Sequence, residues 1–312
     1  MLNRFRKAPE PPTHTISVII PLYNHERYIR QTLDSVFSQT RAPREVIVVD
    51  DGSRDGSAAV VEGMLSQHSN LIFWKHPNRG AHATINAGIH RASGDYIAVL
   101  NSDDLFHPER FADMAGVLDR QPGVDAVFSD LSFIDDDGRA IPNDWYQQAM
   151  KFHRKFGDLA LTLVNGNIFM TTSNLLIRRS VFEEIGHFSA LRYAHDLDFF
   201  LRLVLADKGV HRVDRPLLSY RLHAANTISE GHLKVKAEWA AVTAFFLERL
   251  WSRPDVDWAR VARFIEVLDR HTLTPSVLAC MAYFRQHPTD TMECSPFFSD
   301  QAFRTSLNGY FQ

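Results

Sequence analysis

Two acidic clusters stand at the ends of apolar runs, and their residue types suit cation and nucleotide recognition. Asp50-Asp51-Gly52-Ser53 follows Val46-Ile47-Val48-Val49, and Asn101-Ser102-Asp103-Asp104 follows Tyr96-Ile97-Ala98-Val99-Leu100. Adjacent carboxylates repel, so beside Leu100 and Leu105 the pair Asp103 and Asp104 is costly to hold together unless water or a cation neutralises it. Hard oxygen ligands suit Mg²⁺ or Mn²⁺, and such an ion would bridge the chain to a diphosphate. The plainer use of the same residues is an exposed loop with Asp104 near the cap of a helix opening at Pro108. In the first cluster a carboxylate can accept the N3–H of a pyrimidine. That favours uracil or thymine over cytosine, whose N3 carries no proton, and Asp51 is the choice as the more exposed of the pair. The tetrapeptide would also serve as a turn feeding a helix, with Ser53 or Asp55 as its N-cap.

A third constellation, His195-Asp196-Leu197-Asp198, opens a helical segment. Asp198 suits the role of dipole partner. Asp196 could be the base that takes a proton from an attacking hydroxyl, for which an ionised carboxylate suffices near neutral pH. Downstream, His223 follows Tyr220-Arg221-Leu222 at a strand end; it is either a surface histidine or a nitrogen ligand folded back over a metal, with Arg221 facing phosphate. Upstream, Pro21-Leu22-Tyr23-Asn24 leaves the first strand without any glycine. A dinucleotide fold or a nucleotidyltransferase needs a glycine-rich phosphate loop there. Pro21 and Tyr23 read as a stiff turn, either presenting an aromatic face to a base or closing a strand over a core tyrosine.

The elements that must position these residues alternate short β-branched runs with amphipathic segments, the pattern of a mostly parallel, Rossmann-like α/β sheet flanked by helices. Strands are expected at Ile16–Ile20, Val46–Val49, Leu71–Trp74, Tyr96–Leu100 and Val124–Phe128. Helices are expected at His25–Ser38 with Asn24 as N-cap, Ala81–Ala92, and Pro108–Arg120 with proline in the first turn. Asp135-Asp136-Asp137-Gly138 reads as a hairpin tip, and the stretch on to Gly166 reads as irregular. A second section follows, with strands at Asn174–Ile177, Val210–Val213 and Leu217–Leu222 and helices at Ser180–Gly186 and His195–Ala206. Beyond about Gly231 the reading is helical throughout: Leu233–Leu250, Trp258–Leu268 and Pro275–Phe284. The expected organisation is an N-terminal extension (1–15), a donor-side half (16–128), an acceptor-side half (129–229) and a helical C-terminal appendage (230–312).

The 312 residues are 45% hydrophobic with a formal net charge of -3, which suits a large core and gives no electrostatic reason to expect nucleic acid as a partner. Arg4, Arg6 and Lys7 form only a short basic patch. The first residues lack an apolar signal region and no apolar run approaches the ~20 residues that span a bilayer, so the expected location is the cytosol, at most peripheral at the inner face of the membrane. Cys280 and Cys294 suggest neither a disulfide framework nor a metal knuckle. Trp239, Phe245, Phe246, Leu250 and Trp251 fit core packing, and equally a membrane-docking face or a homodimer through the C-terminal helices.

In order and spacing, the chain resembles a family 2 glycosyltransferase of the GT-A fold. The resemblance runs through Val18-Ile19-Ile20-Pro21-Leu22-Tyr23-Asn24, Val48-Val49-Asp50-Asp51-Gly52-Ser53 with Asp55-Gly56-Ser57, Asn78-Arg79-Gly80, Asn86-Ala87-Gly88, and Gly94-Asp95-Tyr96-Ile97 into Asn101-Ser102-Asp103-Asp104. It continues through Arg178-Arg179-Ser180-Val181-Phe182, Gly186-His187-Phe188 and His195-Asp196 to Tyr220-Arg221-Leu222-His223. It implies an inverting transferase that uses a nucleoside-diphosphate sugar, expected to be UDP-linked, with a saccharide or lipid-linked acceptor, as in bacterial cell-surface polysaccharide synthesis. Pro21, Tyr23 and Asp51 are then expected to hold the base, Asp103 and Asp104 to meet ribose, diphosphate and metal, and Asn24 and Glu26 to contact the nucleotide. Arg79, Gly80, Asn86, Ser102, Asp103 and Arg221 are expected along the rest of the nucleotide. Asp103, Asp104 and His223 would hold Mn²⁺ or Mg²⁺, and Asp196 matches the family's catalytic base. Two departures stand out. Asn101 occupies the place of the first aspartate of the family's metal-binding D-x-D, and His195 stands where an acidic residue commonly precedes the base, where it would add positive potential and lower the pKa of Asp196 or contact the acceptor. No Gln-x-x-Arg-Trp motif and no membrane helix is present in the sequence, which points away from a processive membrane synthase. A non-catalytic glycan- or nucleotide-binding scaffold of the same fold is the rival expectation.

Overall fold

The computed structural model describes residues 14–224, 226 and 232–309. The basic patch, most of the N-terminal extension, and the boundary placed at 229/230 lie outside those residues. The first half is β1 (Ile16–Leu22), α1 (Ile29–Phe37), β2 (Glu45–Asp50), α2 (Ser57–Glu62), β3 (Leu71–Lys75), α3 (Ala81–Arg91) and β4 (Tyr96–Val99). Next come β5 (Leu105–Phe106), α4 (Arg110–Arg120), β6 (Ala126–Ile134), β7 (Ala140–Ile141), α5 (Asp144–Phe156) and α6 (Leu159–Asn165). After these come β8 (Leu175–Arg178), α7 (Val181–Ile185), α8 (His195–Leu205) and β9 (Val210–Arg221). Four helices close the chain: α9 (His232–Trp251), α10 (Trp258–Arg270), α11 (Thr274–Gln286) and α12 (Gln301–Gly309).

The nine strands form one sheet in the order β3-β2-β1-β4-β8-β6-β9-β5, with β7 added to β6. Six strands run one way, while β5, β7 and β8 run against them. Strand order reverses beside β1, between β2 and β4, and a reversal of this kind opens a crevice at the carboxyl ends of the strands. The loops after β1, β2 and β4 carry Asn24, Asp51 and Asp103, so the topology alone brings the two acidic clusters together. The antiparallel β8 then lies against β4 and delivers the Thr172–Asn174 turn to the end of that strand.

Several local expectations are corrected. Pro21 lies within β1, opposite Val49, and not in a turn. The carbonyl of Ile19 accepts from Leu100 of the β4 side, so the Pro21 nitrogen faces that same side, past the end of β4, and no ladder bond is lost. Asn24 does not cap α1, which opens five residues later with Tyr28 at its N-cap; Asn24 has φ +52° instead. Pro108 precedes α4, whose N-cap is Glu109. The stretch read as irregular contains α5 and α6. Their caps were in the sequence: Asn143 accepts from the Tyr146 N–H, Asp158 accepts from the Leu161 N–H, and Gly157 ends α5 in the left-handed region. The two strands expected at 210–222 are one bulged strand.

The C-terminal helices are not a free appendage. α9 packs on α8, α10 packs on α6, and α11 packs on α9. Phe245, Phe246 and Phe264 belong to the same hydrophobic core as the sheet, with Trp239, Leu250 and Trp251 packed at its margin, as the core-packing reading of these aromatics predicts. Among the described residues no helix is long and apolar enough to cross a membrane.

Candidate active site

At the mouth of the crevice an open cleft of about 570 Å³ is lined by Asn24, His25, Glu26, Arg27, Tyr28, Asp55 and His223. Its walls are tied together by backbone-to-side-chain bonds. Asn24 donates its N–H to Ser53 and accepts from the Arg54 N–H, while Glu26 accepts from the Gly56 N–H and donates its own N–H to Asp55. Tyr23 stands outside, 43% exposed, with its ring available to a planar ligand.

Asp51 is the more exposed of its pair only narrowly, 4% against 1% for Asp50, and both are buried. Its two oxygens accept the N–H groups of Arg79 and Gly80 at 2.7 and 3.0 Å, and Gly80 can close this loop because its φ of +88° suits glycine. Asp51 therefore holds the Arg79-Gly80 segment at the end of β2, while the Arg79 side chain is exposed. Asn86 is spent on a reciprocal pair with Phe188, donating to its carbonyl and accepting from its N–H. It fixes the loop before α8 and not the nucleotide.

The second cluster divides in two. Asp103 Oδ2 accepts from His223 Nε2 at 2.9 Å, and Ser102 Oγ meets His25 Nδ1 at 2.8 Å. His25, Asp103 and His223 each offer a ligand atom within 4.8 Å of the others, a spacing and a two-nitrogen, one-oxygen donor set that fit a divalent transition ion. Burial lowers the pKa of His25, which keeps its nitrogens available as ligands at neutral pH. Asp104, expected beside Asp103 on the metal, is turned away: it accepts from the Arg221 N–H and from Ser173. Burial first, then the charge of Asp103, raises its pKa well above the carboxylate range. His25 was missed because a histidine after Asn24 reads as a helix residue until the fold brings the 221–223 segment opposite it.

Arg221 is also corrected. It is fully buried and donates to the Asp103, Asp135 and Asp136 carbonyls and to Gln31, with its guanidinium 4.8 Å from the Tyr28 ring. No face is left for phosphate. Asn101 likewise points away from the metal-ligand group. Its amide donates to Thr171 and accepts from Thr172, and its N–H donates to Ser173.

Asp196 sits in the first turn of α8, where its oxygens accept from Asn167 at 2.8 Å and from the Leu197 N–H at 2.7 Å. Burial outweighs these bonds and pushes its carboxyl up to about 7. His195 does not act as expected: burial, then the charge of His82, lowers its pKa to about 4, so it is neutral and gives Asp196 no positive neighbour. Its Nδ1 is buried without a hydrogen-bond partner among the described residues. Asp198 faces inward in a buried pair with Arg202 at 2.9 Å, accepting from Ser189 as well. Tyr220 links the two regions, because after burial the charges of Asp104, Asp103 and Asp196 push its phenol up.

A mostly parallel α/β sheet with helices on its flanks and a crevice at its strand reversal defines a GT-A-type fold. The model of the family described as Glycosyl transferase family 2 matches residues 17–186, more than half of the chain, and the chain belongs to that family. An uncharacterised glycosyltransferase of Rickettsia typhi is 29% identical over 241 residues, covering 75% of this chain and 72% of its own. One of Nostoc is 30% identical over 215 residues, covering 68% and 66%. Among solved structures, residues 1–349 of S. aureus TarS in complex with UDP-GlcNAc align with a TM-score of 0.58 at 22% identity, over 95% of this chain and 89% of that one. Against the longer TarS chain, this protein spans 48% of the length.

Proposed function

We propose that this chain is a metal-dependent inverting glycosyltransferase that moves one sugar from a UDP-linked donor to a saccharide or lipid-linked acceptor. The observation that carries the reading is the Asp196 carboxyl, held by Asn167 and the Leu197 N–H with a pKa of about 7. A base poised near the working pH combines a useful ionised fraction with a strong pull on a hydroxyl proton. The fold likeness to a UDP-GlcNAc complex supports a uridine donor, with Asp51, Tyr23 and the Arg79-Gly80 loop on the base and ribose.

In the transfer, the acceptor oxygen bonds to the anomeric carbon as the bond from that carbon to the β-phosphate oxygen breaks. Asp196 takes the hydroxyl proton, and the nucleotide leaves with the electron pair. His25, Asp103 and His223 would hold a divalent transition ion such as Mn²⁺, and an ion bound there would supply Lewis-acid stabilisation of the diphosphate. The exposed Arg79 side chain would add positive charge at the leaving group. Acceptor recognition is assigned to α5 and α6, where the Trp145 indole, 45% exposed, lies against Gly166 next to Asn167.

Calorimetric titration with UDP, GDP and dTDP, each with and without Mn²⁺, tests the donor side. Metal-dependent binding of UDP supports the proposal. No binding of any nucleotide would leave the non-catalytic scaffold as the better reading.

A further inference from the structure

The segment just before the proposed base is held by a residue from the C-terminal helices. Glu238, on α9, accepts the N–H of Arg192 through one carboxylate oxygen at 3.1 Å and the N–H groups of Tyr193 and Ala194 through the other at 2.7 and 2.9 Å. Those three residues lead into α8, whose second residue is Asp196 and whose N-cap is Ala194. Ala194 is the N-cap, so its N–H has no partner within the helix, while the N–H groups of Arg192 and Tyr193 belong to the loop before it; the Glu238 carboxylate satisfies all three and favours the helix dipole. Here the carboxylate comes from forty-four residues downstream of Ala194. No side chain of α8's own N-cap does this.

We infer that Glu238 is a positioning residue for the proposed base: by clamping residues 192–194 it fixes where α8 begins and so where the Asp196 carboxylate stands. This makes the C-terminal helices part of the catalytic unit, and it rests on the reading of Asp196 as the base. Other contacts around the segment complete the clamp. Asn86 holds Phe188 on one side, and Arg202 donates to the Ile185 and His187 carbonyls on another. The groups facing Asp196 are Asn167 from the loop after α6, Glu238 from α9 and Tyr220 from β9. The negative charge of Glu238 adds to the rise in the Asp196 pKa.

The test uses the full chain and needs no acceptor. Amide hydrogen exchange at residues 192–194 is measured for wild type, Glu238→Gln and Glu238→Asp, together with the ¹³C carboxyl titration of Asp196, assigned by its loss in Asp196→Asn. In Glu238→Gln, exchange at Tyr193 and Ala194 is expected to quicken roughly tenfold, and the Asp196 midpoint is expected to fall. Glu238→Asp keeps the charge but draws the oxygens back, so exchange quickens while the midpoint falls less. Unchanged exchange at 192–194, or a midpoint unmoved or raised in Glu238→Gln, overturns the inference. If Asp196→Asn retains full transfer while these shifts appear, the base assignment fails and the clamp stands as a purely structural one.

Discussion

His223 and Asp103 are 120 residues apart in sequence and 2.9 Å apart across the crevice, joining the end of β9 to the loop after β4. That pairing turns a weak sequence signal into a three-residue donor set with His25. Replacing any one of the three removes a ligand, and Mn²⁺-dependent UDP affinity is expected to drop by about 10- to 100-fold or more. Calorimetry on His25→Ala is the sharpest check, since no expectation from sequence included that residue. Undiminished metal-dependent affinity in that variant removes His25 from the site.

As the proposed base, Asp196 would make the transfer depend on pH in one direction. Its raised pKa means the carboxyl is protonated below about 7, so the rate should fall roughly tenfold per pH unit below that point and level off above it. Asp196→Asn should lose about 10²- to 10⁴-fold in rate with UDP binding intact. The same shift has a stability consequence. A carboxyl whose folded pKa is raised favours the protonated native state, a contribution present below the ordinary carboxylate range and lost as pH rises to about 7. Asp196→Asn should therefore lose less stability than wild type between pH 5 and pH 8 in urea titrations.

Arg221 separates a phosphate ligand from a structural anchor. Its guanidinium is fully buried and bonded to three carbonyls and to Gln31, and its backbone N–H bonds to Asp104. Arg221→Ala should destabilise the fold by roughly 3–5 kcal/mol, the range for breaking a buried charged network. Urea unfolding measures this. A variant of wild-type stability that only binds UDP more weakly would restore the phosphate role.

The parallel half of the sheet was legible because strands buried on both faces read as continuous apolar runs, and the clusters at their ends were legible because strand order then dictates where they meet. What each charged residue does was not. Arg221 and Asp104 have the residue types of phosphate and metal ligands, yet burial among carbonyls and N–H groups uses them up, and burial is a property of the far side of the chain. His195 reads as a cation from type alone, but desolvation makes it neutral. The helices α5 and α6 were missed although their caps are readable and Tyr146, Ala149 and Met150 give α5 a buried stripe at helical spacing.

Asn101 holds the last of these ambiguities in a testable form. As the odd residue in an otherwise acidic cluster, it invites the view that restoring aspartate would strengthen metal binding. The geometry argues the reverse. The Asn101 amide nitrogen donates to Thr171 Oγ1, which also accepts from the Ser173 N–H and donates its own proton to Ser173 Oγ. An aspartate cannot donate, so Thr171 would have to give up Ser173 or face an acceptor, and a further charge would sit beside Asp103 and Asp104. Asn101→Asp is expected to destabilise the protein by about 1–3 kcal/mol and to leave Mn²⁺-dependent UDP affinity unchanged, since the side chain points to Thr171 and Thr172 and not to His25, Asp103 and His223. Thermal unfolding alongside calorimetry decides it. Tighter metal-dependent binding in Asn101→Asp would show that position 101 reaches the metal after all.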